Sequence, residues 1–173
     1  MARTVIAKDA RSSRDFMLGI YLNDHLAGAT AGSELARRMA RSHRGRDEGA
    51  VLERLAAEIR QDRTALLDIM AALGISVRAY KAAAAWIGEK AGRLKFNGRI
   101  LSRSPLSDLE ELELLRLGVE GKAAGWRTLR SLSHREARLD ADRLDELISR
   151  ASSQSDQLEE LRVRAASRSF SQP

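Results

Sequence analysis

The chain has 173 residues, 30 of them Lys or Arg and 24 Asp or Glu, giving a formal net charge of +6. Hydrophobic residues make up 43%, enough for a core and too many for a chain disordered throughout. The absence of cysteine excludes disulfide scaffolds, thiolate zinc sites and cysteine nucleophiles, and suits a cytoplasmic protein.

Ala, Leu, Arg and Glu dominate and β-branched runs are missing, which predicts an all-α chain. Residues 1–13 keep no sustained period and are expected to form a flexible arm without the apolar core of a secretory signal. No apolar run is long enough to cross a bilayer, so no membrane partner is expected. A first long helix is predicted over 14–41. Phe16, Met17, Leu18, Ile20, Leu22, Leu26, Leu35 and Met39 surround much of it, as in a helix covered by its neighbours.

Ser42 to Arg46 breaks the pattern, and a second helix follows over 48–73. Its seam is Leu52, Leu55, Ile59, Asp62, Leu66, Ile69 and Leu73, in alternating steps of three and four, and Gly74 supplies a stop. Residues 75–106 form a crossover, with a short helix predicted from Val77 to about Leu94. Ser107-Asp108-Leu109-Glu110 reads as a capping box opening a third helix over 107–132, with the seam Leu112, Leu115, Val119, Lys122, Trp126, Leu129. After a turn at 133–140, Asp140 caps a fourth helix over 140–165, whose seam is Leu144, Leu147, Ala151, Gln154, Leu158, Leu161 and Ala165. Residues 166–173 are expected to be a flexible tail. Two short connections and one long one predict a four-helix bundle with a single crossover.

The seams are interrupted at one level. Asp62, Lys122 and Gln154 each lie near the middle of a helix on the face predicted to point inward. The first helix offers Asn23, Asp24 and His25 at its own centre, and its inward face is ambiguous. Such a polar layer is where di-iron carboxylate bundles hold their metals.

Short motifs add a resemblance. Tyr21-Leu22-Asn23-Asp24, the Leu52 to Gly74 helix ending in Leu-Gly, and Trp126-Arg127-Thr128-Leu129 resemble the first, second and third helices of a ferritin-like branch. That branch is the small bacterial stress-induced YciF/YciE type, and the resemblance covers roughly residues 14–165. It implies a ferritin-like fold, a stress-associated role, homodimer formation and a site for iron or manganese. The departures bear on that site. Where family members carry Glu-x-x-His pairs this chain has Ile59 with Asp62 and Ala151 with Gln154, and Lys122 brings a cation into the layer. The expectation is that the di-metal site is lost, with no cofactor and no catalytic residue. An Asp62–Lys122 pair helped by Gln154 is expected to fill it, since a lone buried carboxylate would lose its hydration.

The primary reading is therefore a non-catalytic bundle with a structural or interaction role, partnered by a second copy or an unidentified protein. One alternative is a di-metal redox or peroxide-handling protein using Asp24, Glu58, Asp62 and Glu120. A second is nucleic-acid association through a basic patch of Arg78, Lys81, Lys90, Arg93, Lys95, Arg99 and Arg103, interleaved with Tyr80, Trp86 and Phe96. Closely spaced glycines, Gly28 and Gly32 in the first helix and Gly118, Gly121 and Gly125 in the third, are expected to line faces that approach each other or a second subunit. His43 and His134 fall in predicted turns and are expected to face solvent. No Gly-x-Ser-x-Gly elbow or phosphate loop accompanies them.

Overall fold

Where apolar residues recur every three or four positions, helices form and turn those residues together. The computed structural model describes the backbone of residues 2–78 and 105–171 and the side chains of 13–78 and 106–171. Its helices are α1 (Ala2–Ser42), α2 (Gly49–Ala72), α3 (Pro105–Leu132) and α4 (Ala141–Phe170), with no strand among the described residues. α1 takes in residues 2–13, expected as an arm, because no Gly or Pro interrupts the backbone there. For the same reason α4 runs to Phe170 rather than ending at 165. α3 begins at Pro105, whose fixed φ and missing N–H suit a first helical position, so Ser107 and Asp108 lie inside its first turn.

Contacts between side chains give the helix directions. Tyr21 meets Thr128 while Arg38 meets Glu111, so α1 and α3 run antiparallel. Arg168 meets Glu48, Arg54 meets Gln157 and Arg150 meets Asp62, so α2 and α4 are antiparallel as well. Turns at 43–48 and 133–140 join the antiparallel pairs α1/α2 and α3/α4, which leaves α2 and α3 pointing the same way.

The seams of α2, α3 and α4 supply most of the core. Leu55, Leu129 and Leu158 are completely buried, and each would cost about 2–5 kcal/mol as alanine. Near the end of α2, Met70 takes the innermost place while Ile69 is only partly covered. α1 departs from the expectation of all-round cover. Leu22, Leu26, Ala36 and Met39 are buried, but Phe16 and Met17 are 57% and 62% exposed, because α2 has already ended at their level.

Local chemistry fixes the ends. Gly74 has φ +69°, and the Gly74 and Ile75 N–H groups bond the Ala71 and Met70 carbonyls, closing α2 with a left-handed glycine. Arg138 reaches back to donate to the Leu73 carbonyl at 2.9 Å. Asp140 caps α4 by accepting from the Arg143 N–H. In the α1–α2 turn, a Cβ on Gly49 would lie 2.6 Å from the His43 carbonyl oxygen, so this close approach of backbone to backbone requires glycine.

The short helix expected from Val77 does not begin there. Residues 75–78 are non-helical because Asn23 binds their backbone: its Nδ2 donates to the Ser76 carbonyl at 3.2 Å and its Oδ1 accepts from the Arg78 N–H at 2.9 Å. The rest of that predicted helix, and the crossover from 79 to 104, lie outside the described residues.

Candidate functional site

Halfway along the bundle, α2, α3 and α4 each turn a polar residue inward at the level where the seams lose their leucines. Lys122 Nζ lies 2.5 Å from Asp62 Oδ2 and also donates to Gln154 Oε1. Gln154 Nε2 donates to Asp62 Oδ2 and to Glu58 Oε2, both at 3.1 Å. Arg150, one turn before Gln154, donates to the other Asp62 oxygen. The structure thus brings Asp62, Lys122 and Gln154 together and adds Glu58 and Arg150.

The five side chains nearly satisfy one another. Two carboxylates face two cations, and both oxygens of Asp62 are engaged, as are both ends of the Gln154 amide. The Asp62 side chain is 1% exposed and that of Lys122 13%, so the carboxylate lies out of reach of bulk solvent and the ammonium is largely covered. Burial pushes the Lys122 pKa below its usual 10.5; Arg150 adds to that push, while the Asp62 and Glu58 carboxylates oppose it. Arg150 Nε is the group left over, buried with no acceptor among the described residues.

As a metal centre the layer is poorly equipped. The residues flanking Asp62 and Gln154 on their seams, Ile59 and Ala151, are buried and carry no ligand atom. Of the four candidate ligands, Asp24 is exposed on α1 and Glu120 is exposed on α3, where it accepts from Ser155 Oγ at 2.5 Å. Only Glu58 and Asp62 reach the layer. Among the described residues no group of three or more His, Cys, Asp or Glu side chains is arranged to hold an ion.

The polar residues at the centre of α1 divide by face. Asn23 is buried, holding the chain after α2, with its Nδ2 also bonded to the Gly19 carbonyl at 2.7 Å. His25 stacks on Tyr21 with ring centroids 4.2 Å apart, and its Nδ1 faces the Tyr21 carbonyl. Its ring fills the space a Cβ on Gly125 would need, 2.6 Å from that position. Gly125 is therefore the glycine that brings α1 and α3 close. Gly28, Gly32, Gly118 and Gly121 have no described atom within 4 Å of where a Cβ would stand.

Of the basic patch only Arg78 is described. Its guanidinium lies 5.7 Å from the centre of the Phe16 ring, a cation–π distance. Lys81, Lys90, Arg93, Lys95, Arg99 and Arg103 lie outside the described residues.

A second buried charged site was not foreseen. His43, expected in solvent, is 3% exposed. Its Nδ1 faces the Met39 carbonyl at 2.9 Å and its Nε2 faces the Asp108 carboxylate at 3.2 Å, which joins the α1–α2 turn to the start of α3. Arg46 lies 3.8 Å from the same carboxylate. Beside it, Glu48 pairs with Arg168 of α4. Burial works against the Glu48 charge, but a backbone N–H, Arg168 and His43 together draw its pKa below the usual carboxylate range. The two ends of the α1–α2 turn are thus fastened to different helices. His134 is exposed, as expected of a turn.

Comparison with protein-family models, with curated proteins and with solved structures finds no match to this chain.

Proposed function

We propose that this chain is a ferritin-like four-helix bundle with one long crossover that does no metal chemistry. In this reading it serves in the cytoplasm as a homodimeric structural or interaction protein, with the stress-associated role that goes with the resemblance. The observation that carries it is the Lys122 ammonium lying against Asp62 and Gln154, where it supplies from the protein the positive charge that an ion would otherwise bring. The shared direction of α2 and α3 supports the crossover, since a chain joining them has to return along the bundle. With both Asp62 oxygens already engaged, an incoming cation would have to displace Lys122 and Arg150 before it could bind.

Elemental analysis of protein purified without chelator tests the reading. A transition-metal content near zero per chain, and a melting temperature unmoved by added iron or manganese, is the expected outcome. Stoichiometric bound metal would overturn it.

A further inference from the structure

α3 carries a second stripe on the side away from the core. Glu110, Leu114, Leu117, Gly121, Ala124 and Thr128 follow one another in steps of four and three, the spacing that keeps residues in line along a helix pair. Leu117 is 69% exposed and Leu114 37%, while Gly121, Ala124 and Thr128 are exposed too. Single exposed leucines are ordinary. Two in seam register, on a helix whose inner seam is already buried, form a face with no partner among the described residues save at Thr128, which Tyr21 of α1 reaches.

The stripe is graded in size, with leucines in its first half and Gly and Ala in its second. A second copy of α3 laid antiparallel sets each half against the other. Leu117 then enters the space over Gly121 of the partner, and Leu114 lies over Ala124 of the partner. Among the described residues no atom stands within 4 Å of where a Cβ on Gly118 would be, which keeps the flank flat enough for close approach. Charge follows the same symmetry. Glu113, on the flank of the stripe, falls opposite Arg127 of the partner, and the two-fold axis repeats the pair. Arg127 has no ion pair among the described residues, and Glu113 has only Arg162 at 3.7 Å. Glu120, which would approach its own copy near the axis, is instead turned toward Ser155 of α4.

We propose that this outer face of α3 is the homodimer interface, with antiparallel α3 helices and Leu117 seated over Gly121 of the partner. The inference rests on the homodimer of the reading above and names its surface.

Sedimentation velocity on the full chain across a micromolar concentration series tests it, with circular dichroism as the check on folding. A dimer is expected. Leu117→Glu and Gly121→Leu should each weaken it by at least about tenfold, as loss of a central anchor does. Gly121→Leu meets no described atom within 4 Å of its Cβ on the single chain, so its folding is expected to hold. The double variant Leu117→Ala/Gly121→Leu exchanges large for small and should recover most of the lost affinity. A dimer indifferent to all three variants overturns the α3 assignment and leaves the homodimer standing. A wild-type chain that stays monomeric throughout overturns both. A monomer whose melting temperature drops with Leu117→Glu also overturns the assignment, because the chain itself then covers this face.

Discussion

The middle of the bundle and its end bury charge by different means. In the middle, side chains from three helices meet, and the buried Asp62 carboxylate is matched by cations from two other helices while Glu58 is held by the Gln154 amide. At the end, one imidazole spans the gap between the last turn of α1 and the first turn of α3, with one contact on its own helix and one across. The first arrangement is a closed set, so losing a member strands several others. The second is a bridge. Its loss leaves the Met39 carbonyl with the His43 N–H and the Ser42 hydroxyl, and leaves Asp108 with Arg46 nearby. Buried polar groups are therefore not equivalent here, and their contribution depends on how many neighbours each one completes.

Mutation should separate the two regions. Lys122→Met removes the donor to both Asp62 and Gln154, and urea denaturation should register a loss of about 3–5 kcal/mol, the range for breaking a buried ion pair from one side. The double variant Asp62→Leu/Lys122→Met should lose less, since Arg150, with 26% of its side chain exposed, can then turn to water. A single variant as stable as wild type would refute the closed set. His43→Ala should cost less, about 1.5–3 kcal/mol in the same assay, the range for a hydrogen bond to a charged group. If it costs more than Lys122→Met, the ranking of the two regions is reversed.

The smallest effects are those of pH. Burial holds the Lys122 pKa below 10.5. Between that lowered value and 10.5 the unfolded chain keeps a proton the native chain has released, so unfolding free energy should rise with pH there. Lys122→Met should flatten that rise. On the acid side, the hydrogen bonds from Arg138, with Arg14 nearby, lower the Glu136 pKa to about 2. Its contribution is present above 4.5 and is lost as pH falls toward 2, and Glu136→Gln should remove that part of the acid slope. The effect is minor because the pair lies at the surface.

Three of the four helices were legible in the sequence. α2, α3 and α4 keep their seams in unbroken steps of three and four, and the inward position of Asp62, Lys122 and Gln154 follows from that register alone. α1 was not legible in the same way. Its apolar residues surround the helix, and nothing in their spacing separates Leu22, which is buried, from Met17, which is exposed. Arg150 escaped notice because it lies off the α4 seam and reaches in on a long side chain. Its signal was the spacing: Glu58 precedes Asp62, and Arg150 precedes Gln154, by one helical turn. The burial of His43 had no local signal, since Asp108 comes from a helix far along the chain.

The missing side chain at Gly49 has a consequence for that central layer. With the His43 carbonyl oxygen 2.6 Å from where a Cβ would stand, α2 starts at a fixed angle about its own axis. Each residue of helix adds about 100° of rotation. One residue more or less between His43 and Gly49 would swing Asp62 out of line with Lys122 and turn a neighbour toward it. The length of a surface loop therefore selects which amino acids meet at the heart of the molecule, and tolerance to insertion at 43–48 should be far lower than its position on the outside suggests.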